Sequence, residues 1–219
     1  MTIEHHVGDE RLLAYGAGTL DEATSLLVAA HLALCPACRS DLELAEAVGG
    51  ALMESDRLAP PADETVLDAL VRCIACEDDE GSAAAAAAPL GPFVLPQPLR
   101  GYAGGDVAGL RWRSVGGGIR QVPLKTHGAG ATARLLSIPA GKSVPEHGHS
   151  GFEATLVLAG SFYDRGSWYR RGDVGIADSA VVHRPVAGPE EDCICLAVTD
   201  APLKFVAAVP RLLQPFHGI

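Results

Sequence analysis

No uninterrupted apolar run in these 219 residues reaches the roughly 18 needed to cross a bilayer. The opening Met1-Thr2-Ile3-Glu4-His5-His6 has no basic start leading into an apolar stretch, so it does not read as a secretory leader. The expectation is a cytoplasmic protein with no membrane partner. Positive charge is scarce in the first half: residues 1–90 hold 4 Lys and Arg against 17 Asp and Glu, a balance of −13. Residues 91–219 hold 13 against 10, a balance of +3. Phosphates repel so acidic a first half, which argues against direct nucleic-acid binding there and favours a partner with a basic surface.

What is present suits a folded chain of two modest domains, with 48% hydrophobic and 20% charged residues. Between Asp9 and Leu34 apolar residues recur at helical spacing, predicting two short helices, the second opened by a capping box of Thr19 and Glu22. A longer helix is expected over Pro36–Met53, weakened near its end by Gly49-Gly50. A fourth is expected over Glu64–Cys76, capped by Asp63, with Val66, Leu67, Leu70, Val71 and Ile74 as its apolar face. An acidic run, an alanine run and spaced prolines then mark a linker over residues 78–92. Beyond it, Thr132–Ile138, Glu153–Leu158, Asp173–Ile176 and Cys193–Val198 predict strands of a sandwich or barrel. The division is therefore a helical domain over 1–77, a linker over 78–92 and a β domain over 93–219.

Six cysteines fall in three close pairs, Cys35/Cys38, Cys73/Cys76 and Cys193/Cys195. In a reducing compartment such pairs near histidines suggest metal ligands or redox thiols before disulfides. His31 and Cys35 lie one helical turn apart, and Cys38 follows three residues later, so three ligands converge locally. His6, or its neighbour His5, supplies the fourth ligand of a tetrahedral zinc site. Such a zinc adds about 10–16 kcal/mol toward folding in small modules. The competing reading is a buried histidine with two core cysteines. Cys73 and Cys76 read as core thiols or a redox pair, with a four-cysteine site shared with Cys35/Cys38 as the lesser alternative.

In the second half, His147, His149 and Glu153 share one parity and would face one side of a continuous strand. With His183 they make an open three-histidine, one-glutamate set suited to zinc, iron or manganese. Cys193 and Cys195 alternate on a predicted strand, as oxidant-reactive thiols facing a barrel interior or as packing residues. Trp112 and Trp168 are expected to pack the barrel, and His127 and His217 match no motif.

His6 with the H-x3-C-x2-C string His31, Cys35, Cys38 resembles the zinc-binding anti-sigma domain over residues 1–77. The run Gly141-x5-His147-x-His149-x3-Glu153-x6-Gly160 is similar to the first cupin motif at every fixed position. Gly172 and His183 fit the second motif, whereas Asp178, Ala180 and Ala187 stand where proline, glycine and asparagine are usual. Together the two halves resemble the ChrR family of anti-sigma factors over nearly the whole chain. The resemblance implies a small all-α zinc-binding bundle followed by an all-β cupin, a double-stranded β-helix or jelly-roll barrel. It implies a regulator without catalytic activity that sequesters an extracytoplasmic-function sigma factor. Release on singlet oxygen or organic hydroperoxide stress would be sensed through the cupin, which also offers a route to homo-oligomers. Zinc is expected in the first site and a divalent metal in the second, zinc first, with iron or manganese as alternatives. One rival is a dioxygenase-like cupin metalloenzyme with a helical dimerisation appendage. Another is a binding module for a small acidic ligand held by Arg113, Arg134 or Arg184.

Overall fold

The computed structural model describes residues 2–55, 64–77, 93–127 and 130–206. The linker expected at 78–92, the Asp63 cap and His217 lie outside these residues, as do the side chains of Ile74 and Cys76. Helices α1 (Asp9–Gly16), α2 (Glu22–Leu32), α3 (Pro36–Ser55) and α4 (Glu64–Glu77) come first, with a short α5 (Gln97–Ala103) later. The β region then runs β1 (Arg113–Gly116), β2 (Ile119–Leu124), β3 (Thr132–Ile138), β4 (His147–Gly148), β5 (Glu153–Ala159) and β6 (Ser161–Asp164). It continues with β7 (Ser167–Arg170), β8 (Val174–Ala177), β9 (Val182–His183), β10 (Val186–Ala187), β11 (Cys193–Thr199) and β12 (Lys204–Phe205). A helical region thus precedes an all-β, cupin-like domain, as the sequence leads one to expect. No single described helix is long and apolar enough to cross a membrane.

By contacts the chain forms two compact units, one of Met1–Ala45 with Val94–Ile219 and one of Glu46–Phe93. In the first, a six-stranded antiparallel sheet has the order β1-β2-β3-β11-β5-β8, and two three-stranded sheets, β10-β6-β7 and β12-β4-β9, complete the β region. Strand β11 explains the layering, because all seven of its residues are buried. Cys193 and Cys195 belong to an inner cluster with Ile138, Val157, Phe162 and Tyr169. Ile194, Leu196 and Val198, of opposite parity, join an outer cluster with Leu26, Leu27 and Ala30 of α2 and Leu95 and Leu99 at α5. A strand buried on both faces carries an uninterrupted apolar run, as this one does.

Helix α2 is the layer that covers the sheet. It is apolar nearly all round and buried nearly all round, as a helix without a polar face must be. Its cap differs from the expected one. Asp21, not Thr19, is the N-cap: its carboxylate accepts from the Thr24 amide at 3.1 Å and the Thr24 hydroxyl at 2.6 Å. Thr19 instead donates its hydroxyl to the Ala14 carbonyl at the end of α1, and Glu22 points away to Tyr102 and His127. Helix α5 lies beyond the linker expected over 78–92, at the start of the region expected to be all β. Its Pro98 falls in the first turn, where the missing N–H costs nothing, and the Asp106 carboxylate holds the Val94 and Leu95 amides before it.

In the second unit α3 runs on through Gly49-Gly50. Val48, Leu52 and Met53 of α3 and Val66, Leu67, Leu70 and Val71 of α4 are 49–67% exposed. The apolar face expected on the fourth helix therefore exists but stands in solvent.

Candidate metal centres

The first cluster is built by two helix ends and an arm. His31 closes α2, Cys35 lies in the short α2–α3 turn, and Cys38 is in the first turn of α3. The turn is tight because the amides of Leu34 and Cys35 both bond back to the His31 carbonyl. His6 arrives from the extended N-terminal arm, while His5 turns away and stacks on Tyr169 at 4.3 Å between ring centroids. Of the two candidates for the fourth position, only His6 faces the cysteines.

One ligand atom from each of His6, His31, Cys35 and Cys38 lies within 4.8 Å of all the others. His6 Nδ1 is 3.4 Å from Cys35 Sγ and 3.3 Å from Cys38 Sγ, and His31 Nε2 is 3.2 Å from Cys38 Sγ. Zinc bonds of about 2.0–2.3 Å set tetrahedral donors about 3.5 Å apart, so the donor set fits that ion. Burial lowers the His31 pKa, which favours the neutral imidazole that a metal ion needs. Burial, and the Cys35 thiol beside it, push Cys38 up to about 12. A thiolate in this position therefore calls for a cation, whose binding must release protons. His31 Nδ1 donates to the Gly172 carbonyl at 2.8 Å, which fixes the tautomer that presents Nε2 inward.

The second cluster lies inside the β region. His147 on β4 pairs across the sheet with His183 on β9, and Glu153 begins β5. His149 Nε2 and His147 Nε2 stand 3.0 and 3.1 Å from His183 Nε2. Glu153 Oε2 is 3.2 Å from His149 Nε2 and 3.6 Å from each of the other two, yet this buried oxygen has no hydrogen-bond partner. Three imidazole nitrogens and an orphaned carboxylate oxygen converging on one point are the signature of a cation site. Although burial alone would raise it, the imidazoles of His147 and His183 facing its carboxylate hold Glu153 at about 2. Burial lowers the pKa of His149. It acts the same way on His183, but the Asp164 carboxylate bonded to its Nδ1 and the Glu153 carboxylate nearby outweigh it and raise His183 to about 9.

A cavity opens over this cluster, walled by apolar residues that include Leu136, Ile138, Val144, Phe162 and Ile176, with Cys195 at its lining. Both Cys193 and Cys195 are buried, on the cavity-facing side of β11. Contact with Cys193, together with burial, raises the Cys195 pKa well above the ordinary thiol value. Arg113, Arg134 and Arg184 do not line the cavity, whereas Arg165 does. Trp168 is 40% exposed beside Tyr163 rather than packed inside. Cys73 is an exposed free cysteine on α4, and His127 meets Glu22 at the surface.

The structure brings the eight residues singled out from the sequence into these two clusters, and adds outer partners that the sequence did not mark. His183 Nδ1 donates to Asp164 Oδ2 at 2.8 Å, and His147 Nδ1 to the Pro145 carbonyl at 2.8 Å. Arg165, a non-glycine residue at φ 46°, braces Asp164 with its Nε at 3.3 Å. Asp164 carried no signal of its own, because its role depends on β6 passing behind His183.

A helical segment with a two-histidine, two-cysteine cluster, followed by a cupin-like domain with a three-histidine, one-glutamate cluster, defines a two-centre helical–cupin protein. Family models agree in both halves: one described as "Putative zinc-finger" matches residues 9–39, and one described as "ChrR Cupin-like domain" matches residues 102–202. The anti-sigma-E factor ChrR of Cereibacter sphaeroides is 48% identical over 219 residues, the full length of both chains. The crystal structure of Rhodobacter sphaeroides SigE in complex with the anti-sigma ChrR matches with a TM-score of 0.77 at 44% identity, covering 91% of this chain and 100% of that one. An RmlC-like cupin from Ralstonia eutropha is 22% identical with a TM-score of 0.40, over 45% of this chain and 68% of that one. The chain belongs to the ChrR family of anti-sigma factors, regulatory proteins rather than enzymes.

Proposed function

We propose that this cytoplasmic protein sequesters an extracytoplasmic-function sigma factor and releases it when singlet oxygen or organic hydroperoxides act on the cupin domain. The observation that carries the partner is the full-length match to an anti-sigma-E factor whose homologue forms a complex with SigE. The exposed apolar residues of α3 and α4, in a first half with a charge balance of −13, offer the kind of surface that a basic, partly apolar partner covers. We read residues 1–77 as the module that clasps the sigma factor, 78–92 as its tether and 93–219 as the sensor.

In this reading His6, His31, Cys35 and Cys38 hold zinc, which braces the α2–α3 corner. His147, His149, Glu153 and His183 hold a second divalent metal, zinc first, and this ion supplies a Lewis-acidic point at the floor of an apolar cavity. The cavity suits a small apolar oxidant. Cys195, lining it with Cys193 beside it on β11, is placed to react after the metal centre is disturbed, since Cys193 and burial favour its thiol form until then. The test is a pull-down of the tagged chain from its own cells, with elemental analysis of wild type and a Cys35→Ser/Cys38→Ser variant. Wild type should bring down a sigma factor and carry two metal equivalents, and the variant should lose one equivalent and the partner. A wild-type chain that captures no sigma factor contradicts the reading.

A further inference from the structure

The first cluster does not rest on the helices alone. The turn between β7 and β8, Arg170–Val174, reaches out of the β domain and touches both of its histidine suppliers. The Gly172 carbonyl takes the His31 Nδ1 proton at 2.8 Å. The Asp173 carboxylate, 2% exposed, accepts the Glu4 amide at 2.7 Å and the His5 amide at 3.0 Å on one oxygen, and the Arg170 amide at 2.8 Å on the other. The Val174 amide then bonds to the His5 carbonyl at 3.0 Å. The arm that delivers His6 is thus laid along the start of β8 like an added half-strand. Gly172, at φ 95°, makes the approach feasible, because a Cβ there would sit 2.4 Å from Ile3 Cδ1.

We propose that Asp173, with the Gly172 carbonyl, is the positioning element of the four-ligand centre: the cupin turn aims His31 and holds the arm that brings His6. The proposal rests on the reading of His6, His31, Cys35 and Cys38 as a metal site. His6, the one exposed ligand, is the one that depends on the arm, so it is the ligand lost first when Asp173 is removed. The same turn is bonded to β5, the Gly172 amide to the Val157 carbonyl at 2.9 Å and the Val157 amide to the Asp173 carbonyl at 3.0 Å. Strand β5 begins with Glu153 of the other centre, so the two ligand clusters share a single backbone support.

The test uses the full-length protein with zinc or cobalt alone. Thiolate-to-cobalt charge transfer reports on the first centre, and zinc transfer to a chromogenic chelator gives its rate of loss. Asp173→Ala should lose first-centre zinc at least tenfold faster, within the ~10–100-fold span of outer-partner effects. Its cobalt visible bands should weaken as water replaces His6, while the cupin centre keeps its metal. Asp173→Asn, which retains one acceptor oxygen, should fall between Asp173→Ala and wild type. Asp106→Ala is the control, because that carboxylate also holds two backbone amides but touches neither centre; it should leave the rate unchanged. Should Asp173→Ala not fold, Asp173→Asn alone carries the test through faster release than wild type. An Asp173 variant that releases zinc no faster than wild type, or an Asp106 variant that accelerates release equally, overturns the proposal. A wild-type chain with metal only in the cupin instead sinks the four-ligand reading itself.

Discussion

Single side chains decide whether each cluster is a metal site or a packing accident. Asp164 is the clearest case, since it accepts from His183 Nδ1 and is itself 6% exposed. Asp164→Asn should weaken metal binding at the cupin centre by about 10–100-fold in a chelator competition and leave the first centre unchanged. Titration gives a second check. In metal-free protein His183 is raised from 6.5 to about 9, so its imidazolium stabilises the fold fully below pH 6.5 and that contribution disappears as pH rises through about 9. Glu153, lowered from 4.5 to about 2, acts in the opposite sense: its contribution is present above pH 4.5 and is lost as pH falls through about 2. Melting of chelator-treated protein should therefore drop between pH 6.5 and 9. Metal-loaded protein should gain stability over the same interval, because protons cease to compete for the ligands. Identical slopes for the two forms would place no metal at these residues.

At the level of elements, β11 and α4 are opposites. Leu196 is fully buried where β11 meets the helical layer, and Leu196→Ala should cost about 2–5 kcal/mol in denaturant unfolding. Leu67 and Leu70 of α4 are 61% and 56% exposed. A Leu67→Glu/Leu70→Glu variant should keep its stability within about 0.5 kcal/mol per exposed site while losing roughly tenfold or more of its sigma-factor affinity by titration calorimetry. How far the sequence disclosed these elements follows from what local pattern encodes. Strands β3, β5 and β11 were legible because runs such as Cys193–Val198 are apolar and β-rich, and α3 because Pro36 opens it. The eight clustered residues were legible because a chelating set imposes short fixed spacings. Asp164 and Asp173 were not, since each acts on a partner far along the chain, His183 or Glu4, and nothing near it in sequence marks the encounter. The cap of α2 was misplaced by two residues because Thr19 and Asp21 both offer a capping oxygen, and only the chain path from α1 selects Asp21.

For the molecule as a whole, the sequence suggests modules over 1–77 and 93–219 joined by 78–92, and by packing, residues 1–45 group with residues 94–219. The layer that carries the His31, Cys35 and Cys38 cluster lies on the outer face of the sheet whose inner face carries Cys195 and the approach to Glu153. In the proposed reading, chemistry at the cupin centre reaches the four-ligand cluster through β5, β8 and the β7–β8 turn. The proposed function predicts that sigma binding and oxidant response are separable. The decisive measurement is dissociation of the purified sigma-factor complex by an organic hydroperoxide, followed by size-exclusion chromatography, for wild type and a His147→Ala/His149→Ala/Glu153→Ala variant. Both complexes should form, and only the wild-type complex should come apart on treatment. A variant complex that dissociates as readily as wild type would contradict sensing through the cupin.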